Sequence, residues 1–500
     1  MIKNRKLYRW GSTNAYLQSI LQNVIGIGNV IMFFFAFVKK GGLVMLIPLT
    51  LLTFIVGFPV MYMELLIGQA FRRGSLEVWN ELCPFLKGLG YSYILQTLFR
   101  QMYYLALLGP MLDWFLSTLC YPNMYNKMNN SVFSNITILK SNEEDFIGFN
   151  PEYLPSFLLV LVICYACTRN GALSISRMAS FFFIYSNIAV FVLIVKGLSS
   201  PLSFYGIQKT FEVDWKQLKH LTTWVKAVNI ITTSGSLGTG MLINFSSCIG
   251  DYPVDLKTFS AVILVLDLVF GVLSSIQVSV ALKTIILTKP EFVAFNVIQY
   301  MPAFYQSLSN GWLFAIICNL HWFVLSLTTV FTDIEQIHIA LTYRFWFFKQ
   351  YVELSRLILL ITIGCLSSIC LTKYGNSIIN YFIDYGGKCT AFLLIAMESL
   401  AICYSYSFDK FYNKVDLEER ERPGRIMNYA WAFFIPILYI VMFVLSFVTF
   451  DVDMYRQELV ELTICVVILI PIPLHMIYYH VSNSLTDRLN NASLESLKFD

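Results

Sequence analysis

Charge is what this sequence has least of. Asp, Glu, Lys and Arg together supply 13% of its 500 residues, about half the share of ~25% found in soluble domains. So few charges cannot solvate the surface of a water-borne protein of this length, which excludes a soluble multidomain chain. A net charge of +4 leaves no basic domain, and nucleic acid is excluded as a partner. Histidine is scarce too: His220, His321, His338, His475 and His480 are scattered without metal-ligand spacing. The eleven cysteines mostly sit inside apolar runs, where a thiol serves as a small hydrophobe. Cys164 and Cys167 have a redox spacing, but they lie within the apolar stretch Leu158–Thr168. No catalytic triad, phosphate-binding loop or zinc motif is present, so an enzyme is not expected.

Apolar types fill the space that charge leaves. They make up 57% of the chain, with a mean hydropathy of +0.64. A helical bundle spanning the lipid bilayer is the class that fits, because lipid covers what charge would otherwise cover. Twelve apolar segments reach the length of roughly 20 residues that a bilayer core requires. An even count puts both termini on one side. With that side cytosolic, twelve of the fourteen arginines are cytosolic, Arg456 falls in an outer loop and Arg100 lies within a span. This divides the chain into a cytosolic segment 1–12, a twelve-helix membrane domain 13–482 and a cytosolic tail 483–500. The polar stretch 121–152 becomes an extracellular loop, whose sequons make Asn129 and Asn135 the expected glycosylation sites. Asn244 lies within a span and Asn491 in the tail, so their sequons are not expected to be used. No small-residue cleavage pattern of a secretory leader is visible.

Glycine placement carries the functional signal. The first span contains Gly26-Ile27-Gly28-Asn29 at mid-depth, and the sixth contains Gly235-Ser236-Leu237-Gly238-Thr239-Gly240. Glycine in a helix interior costs about 1 kcal/mol against alanine. It also permits close helix packing, which is the plainer reading of any single cluster. Two clusters at matched positions five spans apart favour broken helices, whose freed backbone groups bind ions and substrate at the bilayer midplane.

At these residues the chain resembles the neurotransmitter:sodium symporter family. The resemblance runs from Trp10 to the twelfth span and rests on several separate motifs. They include Gly26-Ile27-Gly28-Asn29-Val30, Gly57-Phe58-Pro59 leading to Glu64 and Gly68-Gln69, Tyr103-Tyr104, Asp214-Trp215, and Leu327-Thr328-Thr329 ahead of Glu335. It implies an all-α polytopic fold of the LeuT type, in which two inverted five-helix repeats with broken helices 1 and 6 are followed by two further helices. It also implies sodium-coupled symport of a small solute across the plasma membrane by alternating access.

The family's sodium sites map onto two groups of residues, for one or two Na+ ions. The first is built from the Val24 carbonyl, Asn29, Ser234 and a seventh-span residue at or beside Asp267. The second takes the Gln22, Ile25 and Leu325 carbonyls with the Thr328 and Thr329 hydroxyls. All are hard oxygen ligands suited to an alkali cation, although threonines in spans also bond back to their own helix. The substrate position maps onto Val24, Gly26, Ile27, Gly28, Tyr104, Thr233, Ser236 and Thr239. The Ile27 and Gly28 amides, at a helix start, suit a carboxylate. Monoamine carriers of the family hold an aspartate where this chain has Gly26, so an amino-acid-like solute is expected. The family's chloride ligands correspond to Leu49, Ile230, Ser234 and Gly271. Three of the four are lost, and chloride is not expected. The outer loop has only Cys120 where animal members bridge two cysteines.

Other positions depart from the pattern. The outer-gate arginine is Met32, its partner position falls near Asp384, the inner-gate positions read Tyr343 and Leu7, and the aromatic lid is Thr233. Charge stands instead at pocket positions: Arg100, four residues before Tyr104, and Asp333, five after Thr328. They either bind substrate or neutralise each other as a strut. The rival to symport is a descendant that no longer transports and serves as a receptor, scaffold or partner subunit. A sodium-independent exchanger, with Arg100 replacing a cation, is a third reading. Protein partners are not legible in the sequence.

Overall fold

The computed structural model describes residues 9–122, 151–250, 254–282, 294–372, 388–419, 423–448 and 463–496. Among them every regular element is helical. Asn129, Asn135, Asp384, Leu7 and Arg456 lie outside the described residues.

Eight continuous apolar helices are long enough to cross a bilayer, and the pair Thr13–Val24 and Ile27–Lys39, bent by 52°, forms a ninth span. Three more complete the twelve: Gly88–Cys120, Leu154–Thr168, and the sixth span, Leu221–Ser234 followed by Met241–Ser246. The third is long but carries Arg100 and Gln101, and the fourth has only 15 residues.

The first span breaks at Ile25 and Gly26, where Gly26 is extended at φ −115° and ψ 174°. A Cβ at Gly26 would stand 2.7 Å from the Thr329 hydroxyl, so a side chain there would require the threonine hydroxyl of the eighth span to shift. The sixth span unwinds over Gly235–Gly240. Gly238 takes φ +68°, a conformation that side-chain-bearing residues rarely adopt. Its freed N–H donates to Glu64 Oε1 of the second span at 2.7 Å.

Other irregularities mark where helices bend around this centre. A π-helical turn at Thr53–Gly57 precedes Pro59, whose ring removes a helix donor. The Pro59 carbonyl accepts from the Trp431 indole at 2.9 Å, next to a second π turn at Ala430–Phe434. The N-terminal end of the bundle is closed by Trp10, which is 2% exposed and donates to the Phe245 carbonyl at 2.8 Å. Arg356, counted with the cytosolic arginines by position along the chain, is instead enclosed. It forms a two-point pair with Glu335 at 2.7 and 3.0 Å, with the two side chains 1% and 0% exposed. All eleven cysteines are free, so Cys120 has no disulfide.

The seventh span, Leu256–Ser279, starts on an exposed cap. Asp255 accepts from the Lys257 and Thr258 amides at 3.1 and 3.2 Å and from the Thr258 hydroxyl at 2.5 Å. The Thr258 hydroxyl is the main cause holding the Asp255 carboxyl below its ordinary range, with the two amides assisting. Such a cap contributes about 1 kcal/mol. A lowered carboxyl stabilises the fold at pH values above its unfolded-state pKa, and that contribution is lost as pH falls through the folded-state value. Asp255→Ala is therefore expected to lower the melting temperature in detergent at neutral pH. The difference from wild type should shrink in acid, and a gap that persists unchanged at pH 3 would exclude a cap acting through its charge.

Candidate functional site

The two breaks face each other, and a carboxylate from the unbroken seventh span lies between them. Asp267 is 4% exposed. Its Oδ2 accepts from the Ser234 hydroxyl at 2.6 Å, and its Oδ1 accepts from Asn29 Nδ2 at 2.5 Å. The same Asn29 nitrogen donates to the Val24 carbonyl at 2.5 Å. One amide group thus bridges two oxygens. Turned by half a rotation, it would present its own oxygen to the same point. The Val24 carbonyl, Asn29, Ser234 and Asp267 therefore form a compact oxygen cluster that includes one carboxyl group. Its chemistry fits a hard cation.

The second expected group lies where the first span meets the eighth. Gly26 abuts Thr329. The Thr328 and Thr329 hydroxyls donate to the Leu325 carbonyl at 3.0 and 3.3 Å, the bonding within one helix that threonines often make in spans. A hydroxyl that donates in this way still has lone pairs to offer, so the geometry is compatible with either reading. The Gln22 side chain is engaged elsewhere, with the Ala179 carbonyl at 3.0 Å, which leaves its role to its backbone.

At the substrate end, the Tyr104 hydroxyl lies 2.8 Å from where a Cβ at Gly28 would be. Val24 and Ile27 are buried. Thr239 closes the unwound turn by donating to the Ser236 carbonyl at 2.7 Å, while Thr233 bonds Asn229 at 3.2 Å. One turn before Tyr104, Arg100 meets Asp333 face to face. Nε and Nη2 donate to the two carboxylate oxygens at 2.8 and 2.6 Å. Gln101 donates to Asp333 at 2.5 Å, and Asn23 donates to it at 3.0 Å. Asn23 also accepts from the Ser236 hydroxyl at 2.5 Å. A polar chain thus runs from Arg100 through Asp333 and Asn23 to the unwound sixth span.

Asn23 and Gln101 went unnoticed in the sequence, because neither residue type nor spacing marks them. Position did carry a signal for Asn23, which lies three residues before the first break. A second group is acidic, and of its members only Glu64 belongs to a motif quoted from the sequence. Tyr93 donates to Glu398, and the remaining oxygens of Glu64 and Glu398 have no partner among the described residues. At the altered gates, Met32 is half-buried, and the Tyr343 hydroxyl donates to the Ser247 carbonyl at 3.4 Å. Of the four positions expected to correspond to chloride ligands, three are apolar: Leu49 and Ile230 are fully buried, and a Cβ at Gly271 would lie 2.6 Å from the Phe33 ring. Asn244 is buried and accepts from the Ser75 amide at 2.7 Å.

Comparison with known proteins bears on most of the chain. The sequence pattern of the sodium:neurotransmitter symporter family matches residues 8–150 and 139–483. The sodium-dependent serotonin transporter of Drosophila melanogaster is 24% identical over 497 residues, covering 91% of this chain and 79% of that protein. Sodium-dependent nutrient amino acid transporter 1 of Drosophila persimilis is 24% identical over 503 residues, covering 90% of this chain and 76% of its own length. The sodium- and chloride-dependent GABA transporter 2 of Rattus norvegicus is 23% identical over 500 residues, covering 90% and 81%.

The buried pair makes a direct prediction. Removing one partner leaves the other charge enclosed and unpaired, a loss of about 3–5 kcal/mol, whereas replacing both with apolar residues is far milder. Arg100→Met and Asp333→Leu are each expected to reduce surface abundance and thermal stability sharply, and the double substitution to recover much of both. Strictly additive losses in that double-mutant cycle would show that the two residues do not depend on each other.

Proposed function

The chain belongs to the sodium:neurotransmitter symporter family, and from that membership we propose that it carries a small amino-acid-like solute together with sodium across the plasma membrane, by alternating access around the two helix breaks. The family consists of sodium-coupled transporters rather than enzymes, and it supplies the twelve-helix fold with broken helices 1 and 6. Both termini are proposed to be cytosolic, as the arginine distribution implies.

The oxygen cluster of Val24, Asn29, Ser234 and Asp267 is the observation that carries this reading. In the proposal it is the first sodium site, and sodium bound there takes the place of the Asn29 amide protons between Val24 and Asp267. Thr328, Thr329 and the Gln22, Ile25 and Leu325 carbonyls are proposed as the second. The solute's carboxylate meets the Ile27 and Gly28 amides and the Tyr104 hydroxyl, with Ser236 and Thr239 at the unwound turn beside it. Gly26 supports a solute with its own carboxylate, since the Thr329 hydroxyl fills the space that an amine-binding aspartate would need.

Asp267 also supports independence from chloride. A carboxylate in contact with the cluster balances sodium permanently, so no mobile anion is required beside it. One related carrier is named sodium- and chloride-dependent. This chain has Leu49, Ile230 and Gly271 where an anion would need donors, with the Phe33 ring against Gly271.

A second reading, a receptor or partner subunit that no longer transports, is favoured by Met32 and Tyr343 at the gate positions. Uptake into proteoliposomes separates the two. A sodium gradient is expected to drive accumulation that survives replacement of chloride by gluconate and fails when choline replaces sodium. Asp267→Asn should weaken sodium binding at least tenfold, about 1.4 kcal/mol, without creating a need for chloride. Uptake that collapses in gluconate would rule out the fixed-anion role. Sodium-dependent binding with no uptake under any gradient would favour the receptor.

A further inference from the structure

The saturation of Asp333 contrasts with the free edge of Arg100. Asp333 is 0% exposed and accepts four donors, two from Arg100 and one each from Gln101 and Asn23. A carboxylate has about four lone-pair positions, so Asp333 has nothing left to offer a solute. Arg100 is different. Its guanidinium has five N–H donors, and only Nε and Nη2 are engaged. The Nη1 edge has no partner among the described residues. The side chain also keeps 15% of its surface accessible, and since Asp333 is enclosed, that surface lies away from the carboxylate.

We propose that this free edge of Arg100 is the specificity element of the substrate site and selects an amino acid whose side chain ends in a neutral oxygen acceptor, an amide in particular. The inference rests on the symport reading, in which the solute's α-carboxylate is held at Gly28 and Tyr104. Arg100 lies one helical turn before Tyr104, about 6 Å along the axis, so its free edge stands on the same helix face as the carboxylate end but not beside it. A solute that reaches both must extend away from its carboxylate, which suits a side chain carrying its acceptor beyond the α-carbon. A hydrocarbon side chain would cover the guanidinium edge and leave its donors unpaired, which is the unfavourable outcome for a buried polar group. Asp333 already neutralises the Arg100 charge. A second carboxylate would therefore enter without a counter-charge of its own, and the amide is preferred to the acid.

The test uses the full chain in proteoliposomes, with sodium-dependent binding and uptake of glutamine, glutamate and norleucine measured side by side. Glutamine is expected to bind at least tenfold more tightly than norleucine, its apolar counterpart of similar length, with glutamate weaker than glutamine. In Arg100→Lys a cation still faces Asp333, but the planar second edge is gone, and the glutamine-to-norleucine ratio should fall toward one. A ratio change is a readout that lost stability alone does not produce. Norleucine binding as well as glutamine, glutamate exceeding glutamine, or an unchanged ratio in Arg100→Lys would each overturn the proposal. If the lysine variant fails to reach the membrane, the wild-type ranking still decides. Sodium-dependent binding of norleucine alone, or of none of the three, overturns the amide preference and leaves the symport reading standing, which fails only if no solute is taken up under any sodium gradient.

Discussion

Water is absent from the middle of a bilayer, so every polar group placed there must find its partner within the protein. The enclosed carboxylate of Asp333 shows what that constraint demands. Its donors come from the third span, through Arg100 and Gln101, and from the first, through Asn23. None of these spans can move independently without exposing a charge to hydrocarbon. The geometry of the centre follows from meeting this condition while two helices are left deliberately incomplete.

The same solution recurs at each break. Asp267 from the seventh span reaches Asn29 and Ser234, and Glu64 from the second accepts the freed amide of Gly238. Asp333 from the eighth reaches Asn23 and, through it, Ser236. In each case the acid stands on a span that crosses the centre without unwinding. Unbroken helices thus form a frame whose acids hold the broken ones in register, and the backbone released by the breaks is what the proposed transport reading assigns to ions and solute.

Much of this centre was legible in the sequence because it depends on local rules. Glycine clusters at matched depth marked the breaks. The offset of Arg100 from Tyr104 put that charge on the same helix face as the tyrosine, since residues four apart on a helix are neighbours, and Asp333 stands four after Thr329. Contacts that depend on how distant spans pack were not legible. Asn23 lies in an ordinary polar turn, and nothing in its neighbourhood says that it joins Asp333 to Ser236. Tyr93, Glu64 and Glu398 come from three spans far apart in the chain. The burial of Arg356 was not legible for a related reason: counting basic residues by loop locates a span end but says nothing about burial, and its partner Glu335 is on a different helix.

The contact between Gly26 and the Thr329 hydroxyl constrains how this chain could evolve. A Cβ at residue 26 would stand 2.7 Å from the Thr329 hydroxyl but 4.0 Å from its Cβ, so an aspartate for amines there would oblige the threonine side chain to turn aside. Thr329 is also one of the oxygens proposed to hold sodium. A substitution at residue 26 toward amine recognition would therefore disturb a proposed ion ligand in the same step, and specificity for solutes that bring their own carboxylate is coupled to the ion site through this one contact.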